Sequence, residues 1–304
     1  MKQHTPGLWD WSILLLLALI WGFSYYFIKH SLTGFKPDQI ASLRMVFSSI
    51  ALLPFLPSAL KIVPKEKYYI IAFVGIIGSF LPAYLYPFAQ QKISSSVAGI
   101  INAFTPICTY GLGVLFFSVR NEKTKFIGTA IALIGAFCLI LLRPNAELKA
   151  EAFFLFVAFT VPILYGINGN TIKSKLQGIP GTEMTTLMYL FTLIICIPAC
   201  FINGSFQQIP ISLAQDNSFY HLLALSLLGS ALAMTLFNIL IQRVHVLFAS
   251  SVTYLMPLVA IIVGWMDGES ILWNDLVGFL CILIGVLITN EALKFGSKAG
   301  RLGL

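Results

Sequence analysis

Apolar runs of bilayer-crossing length recur along the whole chain, separated by short polar stretches. They fall at roughly 9–28, 38–57, 68–89, 95–118, 125–142, 152–171, 184–203, 220–241, 247–266 and 273–290. Each is expected to be a helix, because hydrocarbon offers backbone N–H and C=O groups no partner outside the segment. The in–out alternation of a barrel strand is absent. The longest connection, Asn203 to Phe219, contains Gly, Pro, Gln, Asp and Asn and reads as a solvated loop. The pattern therefore predicts an all-α integral membrane protein with ten transmembrane helices.

The runs also repeat. At an offset of 151 positions, Gly78-Ser79 falls on Gly229-Ser230, Leu81 on Leu232, Gln91 on Gln242, Lys92 on Arg243, Ala98 on Ala249, Pro106 on Pro257 and Gly113 on Gly264. At 150, Gly128 meets Gly278 and Gly135 meets Gly285. At 144, Gly22 meets Gly166, Lys29 meets Lys173 and Pro54 meets Pro198, so Trp21-Gly22 corresponds to Tyr165-Gly166. Matched glycines and prolines signal shared backbone geometry. The unit is five helices long and occurs twice, as residues 1–146 and 147–304. Five is odd, so the second unit enters the membrane from the other side. This predicts two inverted five-helix repeats, an architecture of carriers that alternate access around a midplane site.

Composition agrees with a membrane chain: 58% of residues are hydrophobic and 10% charged, against roughly 25% charged in soluble domains. The net charge of +7 could suggest nucleic acid. The basic residues stand singly between apolar runs and form no patch, so they read as topology markers and no nucleic-acid partner is expected. With a cytoplasmic N-terminus, cytoplasmic segments hold 13 Lys and Arg, the opposite side 5, and Arg44 lies inside a span. That bias places both termini in the cytoplasm. Cys108, Cys138, Cys196, Cys200 and Cys281 all lie in apolar runs and read as small buried hydrophobes, not as metal ligands or disulfide partners. The first run has the length of a true span, not of a cleavable signal.

No span holds a Ser/His/Asp set, a carboxylate pair or a phosphate-binding glycine loop, so neither catalysis nor a cofactor is expected. All twelve Asp and Glu lie near span ends or in loops. That disfavours coupling through a buried carboxylate and favours uniport or exchange. Polar and aromatic side chains do occur at mid-span: Trp21, Ser24, Tyr25, Tyr84, Asn102 and Thr105 in the first unit, and Tyr165, Asn168, Thr235, Asn238 and Tyr254 in the second. Such groups either line a wet substrate path or hydrogen-bond a neighbouring helix. Arg44 either attracts a substrate carboxylate or gates the path, or it snorkels and caps carbonyls at a helix break. Lys29 and Lys173 read as interface anchors. Pro82, Pro87, Pro106, Pro162 and Pro257 interrupt spans, and the repeat-paired Pro106 and Pro257 are the expected hinges. Gly128, Ala132, Gly135, Gly278 and Gly285 give the fifth and tenth helices a small-residue face, as scaffold or as a dimer contact.

Together these features resemble the drug/metabolite transporter superfamily, within its EamA-like family of ten-helix carriers. The residues that carry the resemblance are Trp21-Gly22 followed by Lys29, Arg44 in the second helix, the Pro106 and Pro257 helices, and Gly268-Glu269-Ser270 with Gly278 and Gly285. One departure is that the family's first half carries a Glu nine residues before Gly128, where this chain has Val119, with Glu122 nearby. The resemblance implies a bacterial inner-membrane carrier, monomer or homodimer, that exports small amphipathic metabolites such as amino acids or their derivatives. Two rival readings are a nucleotide-sugar or phosphorylated-metabolite antiporter, which needs more cations than Arg44 alone, and a non-transporting assembly or sensor protein. A channel is disfavoured by mixed aromatics at mid-span in place of a polar ring.

Overall fold

The computed structural model describes residues 6–119, 126–128, 130, 131, 134, 135, 148–268 and 273–289. Most of the expected fifth span, with Ala132, lies outside these residues, as do Glu122, Glu269-Ser270 and the unit boundary at 146/147. In chain order the helices are α1 (Leu8–Ser31), α2 (Pro37–Ile62), α3 (Lys65–Ala89), α4 (Ser95–Phe116), α5 (Leu148–Lys175), α6 (Gly181–Ile202), α7 (Ser205–Gln215), α8 (Ser218–Arg243), α9 (Val246–Met266) and α10 (Trp273–Thr289). The described residues contain no strand. Eight of these helices, all but α7 and α10, are long and apolar enough to cross a membrane. The chain is an all-helical, multi-pass membrane protein.

Helix starts carry the caps that their first N–H groups require. The Asp10 carboxylate accepts from Gly7 N–H, Gln39 Oε1 from Lys36 N–H, and Ser94 Oγ from Val97 N–H. The stretch expected as a solvated loop instead holds helix α7. Phe206 and Ile209 lie three apart and pack onto the core, and Ser205 and Ser212 are buried along the same helix. The polar residues between them disguised this helical period. Gly204, at φ +70°, turns the chain into α7. The helix then lies across the end of the bundle, against α2, α6 and α8.

Helix α1 packs against α8 and α9, α5 against α3 and α4, and α2 against α6. Directions follow from the contacts at the helix ends. Arg243 and Phe248 meet Asp10 and Trp11 at the start of α1, whereas Asp267 meets Lys29 at its end. So α1 runs antiparallel to α8 and parallel to α9. Phe88 stacks on Phe154, Lys67 donates to the Lys175 carbonyl, and Asn170 donates to the Thr109 carbonyl. So α5 runs antiparallel to α3 and parallel to α4. Lys173 Nζ donates to the Ile241 and Val244 carbonyls, which brings the end of α5 to the membrane face where α1 begins.

Close approaches recur at the offsets read from the sequence. A Cβ on Gly22 of α1 would lie 2.4 Å from Val259 of α9, and one on Gly166 of α5 would lie 2.9 Å from the backbone of Cys108 of α4. Gly22 and Gly166 are 144 apart, and Cys108 and Val259 are 151 apart. Helix α3 contains a π turn at Ile76–Phe80 and α8 one at Leu227–Leu232, and both start positions are again separated by 151. Close backbone approach, with no hydrophobic drive between helices in lipid, is what membrane packing requires.

Gly181 offers a direct test of this packing. A Cβ there would lie 2.5 Å from the backbone N of Ile239, which cannot yield without moving α8. Gly181→Ala should therefore lower stability in detergent by about 1–3 kcal/mol. Gly111→Ala, whose Cβ would meet nothing within 4 Å, should leave the melting temperature unchanged or raise it. Thermal melts of the two variants check this.

Candidate functional site

Two crossing helices are each broken shortly before a repeat-paired proline. Helix α4 is helical to Asn102, turns at Ala103-Phe104 and resumes at Thr105. Helix α9 pauses at Ser251 between Val246–Ser250 and Val252–Met266. Pro106 and Pro257 follow these breaks. Neither has an N–H for the carbonyl four residues earlier, which belongs to Asn102 in one case and Thr253 in the other. Thr105 Oγ1 donates to the Asn102 carbonyl in its place, at 2.7 Å.

Around these breaks lies a cavity. It is lined by Trp21, Ser24, Tyr25 and Ile28 of α1, Arg44 of α2, Tyr86 of α3, Asn102 and Thr105 of α4, Tyr165 and Asn168 of α5, Met234 and Phe237 of α8, and Thr253 and Met256 of α9. Ten of these fourteen residues form five pairs related by the repeat offsets. Trp21 pairs with Tyr165 and Ser24 with Asn168 at 144; Tyr86 with Phe237, Asn102 with Thr253 and Thr105 with Met256 at 151. The π turns help to build this wall. Gly229 of α8 comes so close to α1 that a Cβ would lie 2.6 Å from Ser24 Oγ, and Gly78 of α3 so close to α5 that one would lie 2.5 Å from the Asn168 amide. The Gly229 carbonyl also accepts from Trp21 Nε1 at 3.0 Å.

The polar equipment of the cavity is incompletely satisfied. Tyr25, Tyr86 and Asn168 are buried; Asn168 Oδ1 has no partner among the described residues, and the Tyr25 and Tyr86 hydroxyls have only loose contacts, with one another and, for Tyr25, with Asn102. An unpartnered buried atom costs about 1–3 kcal/mol unless something enters to bond it. Arg44 Nε donates to Ser230 Oγ on the α8 π turn. Among the described residues Arg44 makes no ion pair.

Of the residues the sequence marks for a substrate path, Trp21, Ser24, Tyr25, Arg44, Asn102, Thr105, Tyr165 and Asn168 line the cavity. Tyr84, Asn238 and Tyr254 do not. The Tyr84 hydroxyl is 2.8 Å from Ser42 Oγ and ties α3 to α2. Asn238 Nδ2 donates to Thr185 Oγ1 at 2.9 Å and ties α8 to α6. Tyr254 is buried in an apolar cluster with Ile100, Ala103 and Phe104. Thr235 lines a separate groove with Ala51 and Thr182. Sequence reasoning missed Ile28, Tyr86, Met234, Phe237, Thr253 and Met256. The repeat offsets point to two of them, Thr253 and Met256, as the counterparts of Asn102 and Thr105, and pair Tyr86 with Phe237. Lys29 and Lys173, read as interface anchors, make specific contacts as well. Lys173 caps the end of α8 and Lys29 pairs with Asp267, since each finds a helix end or carboxylate within reach.

Ionic contacts tie both ends of α1 to the second half. Arg243 Nε meets Asp10 at 2.7 Å at one end, and Lys29 and His30 meet Asp267 at 2.5 and 2.8 Å at the other. Burial raises the Asp267 carboxyl, but its hydrogen bonds from Lys29 and His30 outweigh this and hold it below the usual carboxylate range. A carboxylate depressed in the folded state contributes stability above its unfolded value, about 3.9, and loses it as pH falls through the folded value. Melting temperature should therefore drop below pH 4, and Asp267→Asn should flatten that drop while lowering the plateau at neutral pH.

The sequence profile of the EamA-like transporter family matches residues 9–141 and again 152–291. The chain belongs to the EamA-like transporter family. It is 25% identical over 289 residues to the uncharacterized inner membrane transporter YedA of Escherichia coli (strain K12), covering 94% of this chain and 92% of that one. It is 22% identical over 281 residues to the probable terminal-alkyne amino-acid exporter of Streptantibioticus cattleyicolor, covering 91% and 92%. A chain of known crystal structure superposes with a TM-score of 0.67 at 13% identity, covering 93% of this chain and 96% of that one, and so shares the fold. This EamA-like protein is a membrane transporter. As in sequence, so in the family match, two successive segments carry the same profile, and the cavity lies where the described helices of both meet.

Proposed function

We propose that this EamA-like protein is an inner-membrane exporter of small amphipathic metabolites, amino acids or their derivatives, that works by alternating access. In this reading residues 1–146 and 147–304 are five-helix units inverted with respect to one another, ten transmembrane helices in all, with both termini in the cytoplasm. The observation that carries it is the cavity wall, in which repeat-related residues face each other around buried, incompletely satisfied polar groups. A site on the axis between two inverted units can be presented to either side by rocking one unit on the other. The antiparallel course of α1 and α5 supports the inversion. The Asp10–Arg243 and Lys29–Asp267 contacts are then the closures, one of which must part in each state, with Pro106 and Pro257 as hinges beside the breaks.

No Asp or Glu lines the cavity among the described residues, which supports uniport or exchange over proton coupling through a carboxylate. A single guanidinium is too little for a phosphorylated or nucleotide-sugar substrate, whose phosphates call for several cations. The test is a metabolite-toxicity screen in cells overproducing the protein, followed by flux from proteoliposomes with and without a pH gradient. Resistance to amphipathic metabolites, with downhill flux indifferent to the gradient, is the expected result. Accumulation driven by the gradient contradicts the uncoupled mechanism, and no flux from a broad panel contradicts the carrier reading.

A further inference from the structure

Four lining residues break the pairing of the cavity wall: Arg44, Tyr25, Ile28 and Met234. The repeat offsets put Met188 opposite Arg44 and Gly169 opposite Tyr25. The cavity is thus nearly symmetric in shape and asymmetric in charge. Its one cation comes from the first half, and no acid among the described residues lines it.

We infer that the transported species carries a net negative charge: an amphipathic monocarboxylate with a neutral N–H or O–H group, such as an N-acylated or deaminated amino acid, and not the parent zwitterion. The inference rests on the carrier reading above. Ser230 takes only Nε of Arg44, so the two terminal nitrogens of the fork are left for a bidentate carboxylate. Once that contact is made the site is neutral. The ammonium of a zwitterion would then be a second charge at bilayer depth with no carboxylate to meet it, which is the costly arrangement. What waits beyond Arg44 is neutral. Asn168 Oδ1, unpartnered among the described residues, suits an amide or hydroxyl donor, and the loosely held Tyr25 and Tyr86 hydroxyls can turn to the same group. Trp21, edge-on to Phe237 with ring centres 5.1 Å apart, and the adaptable thioethers of Met234 and Met256 suit an apolar tail of variable shape.

Four probes with one phenyl tail test this on the purified full chain: N-acetylphenylalanine and 3-phenyllactate (net −1), phenylalanine (zwitterion) and phenylalaninamide (cation). Binding is read by tryptophan fluorescence and by the shift in melting temperature. Both anions should bind about tenfold or more tighter than phenylalanine and the amide. Arg44→Gln should erase that order, and Arg44→Lys should keep it at reduced affinity, with the melts reporting that each variant is folded. Equal or tighter binding of phenylalanine, persistence of the order in Arg44→Gln, or no binding of either anion each overturns the inference. If phenylalanine binds and is moved across liposomes, the carrier reading stands while the charge assignment falls.

Discussion

Replacing Arg243 by alanine should cost the closed state about 3 kcal/mol, the lower end of what breaking a buried ion pair costs. The asymmetry of the pair makes the effect large. The guanidinium side of the contact is 43% exposed, but the Asp10 side chain is 1% exposed. Removing Arg243 therefore takes the guanidinium away from a carboxylate in the protein interior, whereas the same loss at a surface carboxylate would cost little. Asp10 also accepts from Gly7 N–H at the start of α1, so it cannot simply turn away to solvent without uncapping the helix. Arg243→Lys keeps the charge and loses only the planar fork, and should fall less than halfway to Arg243→Ala. Melts of both variants in the same detergent check the ranking. In the carrier reading the alanine variant should also bias the protein towards the state open at this end, read as faster labelling of cavity positions from that side.

The second large effect has opposite signs in stability and in transport. Arg44→Met removes the one cation of the cavity, which has no ionic partner among the described residues. Replacing a buried charge by an apolar side chain of similar volume is neutral or stabilising by about 1–4 kcal/mol. The melting temperature should rise. Flux of anionic substrates should fall about a hundredfold, because a bond from a charged donor to a carboxylate contributes about 1.5–3 kcal/mol. A variant that is more stable and less active marks a functional strain that the fold tolerates. If Arg44→Met instead unfolds the protein, Arg44 is a structural tie and the carboxylate role is lost.

Much of the fold was legible because the membrane simplifies the code. Each described span appears close to where an apolar run predicted it, and Gly22, Gly166, Gly78 and Gly229 all mark close approaches between helices. Helix α7 was hidden because Gln, Pro and Asp between Phe206 and Ile209 and their neighbours carry the composition of a loop. The site was harder, because composition selects polar residues at mid-span and helix phase decides which of them face inward. On α3 the sequence marks Tyr84, but it is Tyr86, two positions on and on the opposite side of the helix, that lines the cavity. A π turn holds one residue more than an α turn, so beyond Ile76–Phe80 the face of Gly78 continues at the eighth residue onward, Tyr86, and not at the seventh. The same shift on α8 carries the face of Gly229 to Phe237 and leaves Asn238 towards α6. On α9 the pause at Ser251 turns Thr253 inward and Tyr254 into the apolar cluster. No residue pattern announces a π turn, although the two π turns start 151 positions apart, at the offset of the repeat.

The central claim is that one cavity, built from both halves, is reached alternately from the two sides of the membrane. Single cysteines at Ser24 and Thr253, near-isosteric positions on opposite halves of the wall, test it in a cysteine-free protein reconstituted with known orientation. Each should react with a membrane-impermeant maleimide from either side, and substrate should slow both reactions. A cavity cysteine that reacts from one side only, whatever solute is present, would contradict the account.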